Sequence, residues 1–139
     1  MKRLTASFIL TATLFASLRA ETPVSTDDFI ARTDFDTTCL NLGEIHRSAG
    51  EQPFSFRAVN SGNAPLVLTY VHASCGCVRL NYPRHPIAPG DTVTISGVLN
   101  PGSINEGDFK RNILVRSNAE PPQTRLFIIG KIHPEANKE

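Results

Sequence analysis

The chain has 139 residues, a formal net charge of +1 and three cysteines. That length holds one ordinary domain behind a leader, and the lack of a basic block excludes the electrostatic face that nucleic-acid binding needs. Three cysteines cannot all pair within one chain, so every intramolecular pairing leaves one thiol over.

Lys2 and Arg3 open the chain, Ser7 to Leu18 is uncharged and mostly apolar, and Ala20 precedes the polar Glu21-Thr22-Pro23. This is the layout of a secretory signal peptide over residues 1–20, although Leu18 stands at −3 where a small residue is usual. Its apolar part is too short for a comfortable membrane span. The expected product is exported to a periplasm, a cell envelope or the medium, with no integral membrane span in the mature chain. Residues 21–33 read as a mature leader, 34–133 as the folded domain and 134–139 as a polar tail.

After the leader, helical periodicity is almost absent. Short alternating runs are separated by Gly, Pro, Asn and Asp, which is the pattern of an all-β sandwich. Thr37 to Leu42 reads as a first strand. Phe54 to Val59 alternates cleanly, placing Phe54, Phe56 and Ala58 on one face. Asn60 to Pro65 is a turn by composition. Leu66 to His72 carries apolar side chains on both faces, which predicts a central strand. Val78 to Tyr82 is a short extra strand. In the turn Pro86 to Asp91, Pro89-Gly90 suits the central positions of a type II turn. Thr92 to Leu99 alternates again. Phe109 to Ser117 puts Ile113 and Val115 on one face, with Lys110, Arg111 and Arg116 expected in solvent. Thr124 to Ile132 closes the set with Leu126, Ile128 and Ile132 on one side. The count is about seven strands with no helices between them, so the fold class is all-β, an immunoglobulin-like sandwich preceded by a signal peptide.

Several of these segments also carry a resemblance. Phe56-Arg57-Ala58-Val59-Asn60-Ser61-Gly62-Asn63-Ala64-Pro65-Leu66 resembles the F-x-x-x-N-x-G-x-x-P-L opening of Hydin-type Ig-like domains. With Ser74-Cys75-Gly76-Cys77, Pro86 to Gly90, Gly107 to Lys110, Ser117-Asn118 and Leu126 to Gly130 in order, the chain looks like the bacterial domain-of-unknown-function family 1573. The resemblance implies an Ig-like domain similar to major-sperm-protein and pilus-chaperone folds, found in exported bacterial proteins. It brings no established reaction. This chain has Asn41-Leu42-Gly43 where the family usually has Asp-Phe-Gly, Val78 where it has Thr, and Tyr82 for a frequent Trp. Cys39 lies outside the family's pattern.

Cys75-Gly76-Cys77 is the one chemically pointed motif, and it is open to several uses. In an extended strand, residues two apart lie about 6.6 Å apart at Cα. Closing a disulfide there requires a bend, which Gly76 permits, and makes a small, easily reduced ring. Two thiolates also suit a soft ion such as copper or zinc, and His72, three residues before Cys75, is the nearest candidate third ligand. The four histidines His46, His72, His85 and His133 show no finger spacing and read as surface or edge residues. Cys39 is open to pairing with Cys75 or Cys77, but it alternates with Leu40 and Leu42 and so is expected to face away from the core, which suits a free thiol or an intermolecular bond.

Catalytic signatures are missing. There is no Gly-x-Ser-x-Gly elbow, no phosphate-cradling glycine loop and no EF-hand loop around Asp27-Asp28 or Asp34-x-Asp36. The sequence therefore predicts no enzyme and no catalytic residue. It predicts an exported Ig-like module for protein binding or an envelope-associated structural role, with an unknown protein partner rather than a small-molecule substrate. The alternative is soft-metal or thiol–disulfide work at Cys75 and Cys77.

Overall fold

The structure is a computed structural model and describes residues 28–135. The signal peptide expected over 1–20 lies outside these residues, as do 21–27 and 136–139. Eight strands form two four-stranded sheets, and among the described residues the helical element is one 3-10 turn, Pro101–Ser103. The strands are β1 (Thr33–Phe35), β2 (Cys39–His46), β3 (Gln52–Asn60), β4 (Leu68–Ala73), β5 (Val78–Asn81), β6 (Thr92–Leu99), β7 (Gly107–Ser117) and β8 (Gln123–His133). One sheet runs β1-β3-β6-β5 and the other β2-β8-β7-β4. All pairs are antiparallel except β2 with β8.

The alternation read from the sequence builds the core. Phe54, Phe56 and Ala58 of β3 are buried and face Ile113, Val115, Leu126 and Ile128 of the opposite sheet. Inner faces of two sheets interdigitating in this way give the sandwich its single apolar layer. Each fully buried Leu, Ile or Phe contributes about 1.5–3 kcal/mol relative to exposure.

Three local readings are corrected by the register. The strand read as Thr37 to Leu42 is β2, beside β8, and it is not the first: β1, Thr33–Phe35, precedes it and pairs with β3 in the other sheet. β2 also continues past Leu42 to His46, through a register shift between Asn41 and Glu44 that masks the alternation. Leu66 to His72 is not central. Leu66 makes an isolated bridge to Ile87, and β4 is an edge strand. Its apolar residues of both parities, Leu66 and Leu68 then Val71 and Ala73, are all buried, because a register shift between Leu68 and Tyr70 turns the strand over. Arg111 is only partly solvated. It pairs with Ile128 on the inner face and is half-buried, and its Nε is buried without a partner among the described residues.

One polar side chain organises the end of the sandwich where three loops meet. Asn60 is fully buried at the end of β3. Its Nδ2 donates to the carbonyls of Ala64 (2.8 Å) and Ile87 (3.0 Å). Its Oδ1 accepts from the backbone N–H groups of Gly62 (3.1 Å) and Arg32 (3.4 Å). The Asn60 main chain is satisfied too, donating to Asp91 O and accepting from Gly90 N. Gly62 is required by close approach, since a Cβ there would lie 2.2 Å from Ile30 O. Gly90, at φ +83°, takes the left-handed position of the type II turn, closed by Asp91 N donating to Ala88 O at 3.0 Å. Asn118 repeats the device on the other sheet, accepting from Val67 N and donating to Pro65 O.

Ile30 to Arg32, placed in the leader by the sequence reading, are therefore tied to the domain. Ile30 O accepts from Asn63 N, and Ala31 is 1% exposed and bridges to Ala119. Replacing Asn60 with Ala strands the Ala64 carbonyl and the Gly62 and Arg32 amides, each worth about 1–3 kcal/mol when left unpaired, while the Ile87 carbonyl keeps its bond from Leu66 N. Asn60→Ala is expected to lower stability by at least about 2 kcal/mol, a fall in Tm of roughly 10 °C or more, measured by thermal and denaturant melts.

Candidate functional site at the Cys-Gly-Cys corner

The ladder between β4 and β7 ends at Ala73, and Ser74 closes it. Ser74 N donates to Asn112 O (2.9 Å), while Asn112 N donates back to Ser74 Oγ (3.3 Å). From there the chain crosses to the other sheet. Asn100 N donates to Cys77 O (2.8 Å), and Val78 pairs with Leu99 to begin β5. Cys75 and Gly76 are the corner between two edge strands that belong to different sheets.

The corner brings the two sulfurs into contact, with Cα atoms 5.3 Å apart, inside the range a disulfide accepts. Cys77 is 5% exposed and packs in the core, whereas Cys75 is only half-buried. Cys77 N donates to Cys75 Sγ at 3.2 Å. The bend does not depend on a left-handed glycine, because Gly76 has no positive φ and a Cβ there would meet nothing within 4 Å. Gly76 is exposed and puts no side chain beside the pair.

β4 and β5 diverge here, and between them opens a cleft of about 400 Å³. Val71, Ala73, Val78 and Leu80 supply apolar lining, Cys75 and Gly76 stand at one end, and Tyr82 and Arg84 at another part of the wall. Arg84 lies over the Tyr82 ring at 4.3 Å. No carboxylate lines the cleft. Among the described residues, neither β4 nor β5 has a strand on its outer edge, so main-chain donors and acceptors border the opening.

His72 lines the same cleft but is exposed, stacked loosely beside Tyr70 with ring centroids 5.7 Å apart. Among the described residues no three His, Cys, Asp or Glu side chains gather where they could hold a metal ion. Cys75 and His72 line this cleft and Cys77 does not, and the three form no ligand set. His46 and His85 are exposed, and His133 is half-buried, 3.3 Å from the Glu44 carboxylate. Asp28, Asp34 and Asp36 are exposed and scattered. Cys39 is exposed and unbonded at the start of β2. Sequence reasoning found the cysteines and His72 but missed Tyr82, Arg84 and the apolar wall, which only the crossing of β4 and β5 assembles.

Over residues 33–132 the sequence matches the family described as "Protein of unknown function (DUF1573)". The chain belongs to that family. No significant match appears among curated proteins. Among solved structures, it is similar to a protein of unknown function from Porphyromonas gingivalis W83, with TM-score 0.67 and 17% identity over 80% of this chain. The chain spans about half of that structure, 51% of its length. It is also similar to the ASH/PapD-like domain 7 of human CEP192, with TM-score 0.62 and 9% identity, covering 97% of this chain and 100% of that one. A third likeness is to the Pseudomonas aeruginosa CupB2 chaperone, with TM-score 0.52 and 12% identity over 76% of this chain and 57% of that one. These likenesses show the fold alone, a PapD-like Ig sandwich, in this DUF1573 domain. No helix among the described residues is long and apolar enough to cross a membrane.

Non-reducing peptide mapping of protein alkylated at lysis is expected to show Cys75 linked to Cys77 and Cys39 carrying the alkyl label. A peptide linking Cys39 to either partner would contradict the geometry, since β2 and β4 lie at opposite edges of their sheet.

Proposed function

We propose that this DUF1573 domain is an exported, non-enzymatic binding module whose partner is an extended, acidic segment of another protein. The layout from Lys2 to Ala20 is what supports export to a periplasm or cell envelope. The observation that carries binding is the cleft between β4 and β5. Unpaired strand edges offer main-chain hydrogen bonds to an added strand, and alternate side chains of that strand find the apolar lining of Val71, Val78 and Leu80. Arg84 at the wall, with no carboxylate beside it in the lining, favours an acidic side chain on the incoming segment. The divergence of β4 from β5 leaves a trough rather than a flat edge, so specificity comes from side chains as well as backbone. The likeness to a chaperone contributes only the fold.

Panning a random peptide library against the folded chain is expected to select acidic extended sequences. Their binding should shift NMR amide signals of β4, β5 and the Ser74–Cys77 corner, and Arg84→Glu should weaken it by about tenfold or more. Selected peptides that shift β1 or β2 instead, or that are indifferent to Arg84→Glu, would overturn the proposal.

A further inference from the structure

We infer that the Cys75–Cys77 pair is a thiol–disulfide exchange site for cysteine-bearing segments seated in the β4/β5 cleft, with Cys75 the attacked sulfur and Cys77 the leaving one. This goes beyond simple binding and rests on the seating of a peptide proposed above. The two sulfurs are in contact yet unequal in access. Cys75 and Gly76 line the cleft, whereas Cys77 is 5% exposed and does not line it. An incoming thiolate lying in the cleft therefore meets Cys75 rather than Cys77, with the exposed Gly76 beside it.

The exchange balances without an outside oxidant. The first client thiolate attacks Cys75 Sγ, and the sulfur–sulfur electron pair leaves on Cys77 Sγ, which takes a proton. The second client thiolate then attacks the client sulfur of the mixed disulfide and expels the Cys75 thiolate, which is protonated in turn. The client dithiol is oxidised to a disulfide, and Cys75 and Cys77 are reduced to thiols. Two features of the corner serve these steps. Cys77 N–H points at Cys75 Sγ (3.2 Å) and steadies negative charge on that sulfur when it is released. No carboxylate in the cleft opposes a thiolate, and Arg84 stands in the same wall.

The corner also keeps its shape without the sulfur–sulfur bond. Ser74 is tied to Asn112 by two hydrogen bonds, and Cys77 O is tied to Asn100 N. Reduction thus leaves both cysteines in place for the reverse reaction. A disulfide closing so short a loop restrains the unfolded chain least, so a purely structural role gives it little to do.

The test uses the full mature chain with Cys39→Ser, a synthetic glutamate-containing peptide with two cysteines, and the free heptapeptide Ala-Ser-Cys-Gly-Cys-Val-Arg in its oxidised form as the baseline. Loss of client thiols is followed by quenched alkylation and mass spectrometry. The folded protein is expected to oxidise the client at least about tenfold faster than the heptapeptide, because the cleft raises the client's effective concentration. With the oxidised client, Cys77→Ser should accumulate a mixed disulfide on Cys75, and Cys75→Ser should react at least about tenfold more slowly because Cys77 is buried. A rate equal to or below the heptapeptide's, or equal reactivity of the two variants, would overturn the inference. A serine-substituted client that binds at the cleft while the cysteine client does not exchange would leave the binding module standing and remove only the exchange.

Discussion

A single buried amide sets the frame on which the rest of this sandwich depends. Asn60 has no access to water, so each of its polar groups must find a partner inside the protein. It finds them in three different segments: the incoming chain at Arg32, the β3–β4 connection at Gly62 and Ala64, and the β5–β6 connection at Ile87. Moving any one segment would leave an unpaired buried group. The apolar core supplies most of the driving force but little direction. Asn60 supplies direction, fixing where the chain enters, where β4 departs and where Leu66 bridges Ile87.

That bridge has a consequence at the far end of β4. With Leu66 held to Ile87 and Asn118 holding Val67 N and Pro65 O, β4 leaves along the edge of its own sheet, while β5 lies along the edge of the other. The two strands cannot pair with each other, and the cleft opens between them. The Cys-Gly-Cys corner spans the divergence. Its ends are secured by main-chain hydrogen bonds at Ser74 and Cys77. By chain entropy, a bond closing so short a loop is worth roughly 1.6 kcal/mol, about half what a 15-residue loop gives. The fold is therefore held by the Asn60 knot and the core, and the sulfur pair is left available for chemistry.

The sequence made some of this legible and hid the rest for identifiable reasons. Strict period-2 runs such as Phe54-Ser55-Phe56-Arg57-Ala58 display their buried face directly, and β6 was readable at both ends. Bulges defeated the same logic. The shift between Leu68 and Tyr70 places Val71 on the same buried side as Leu68, so an edge strand resembled a central one. Asn60 read as a turn residue because composition cannot distinguish a solvated amide from a buried hub. Arg111 read as solvated because charge usually is, yet its register puts it opposite Ile128. At the site, the cysteines were visible as a motif. Their unequal burial, and their junction with Tyr82 and Arg84, exist only once two strands from different sheets have diverged.

Hydrogen exchange monitored by NMR on the oxidised and fully reduced chain tests the central claim most directly, because it separates what the amide knot holds from what the sulfurs hold. Reduction is expected to speed exchange only around Ser74 to Asn81. The amides of Arg32, Asn60, Gly62, Leu66 and Ile87 should keep their protection, since their partners are carbonyls and the Asn60 side chain. Loss of protection across the whole sandwich on reduction would contradict the account and make the Cys75–Cys77 pair the staple of the fold.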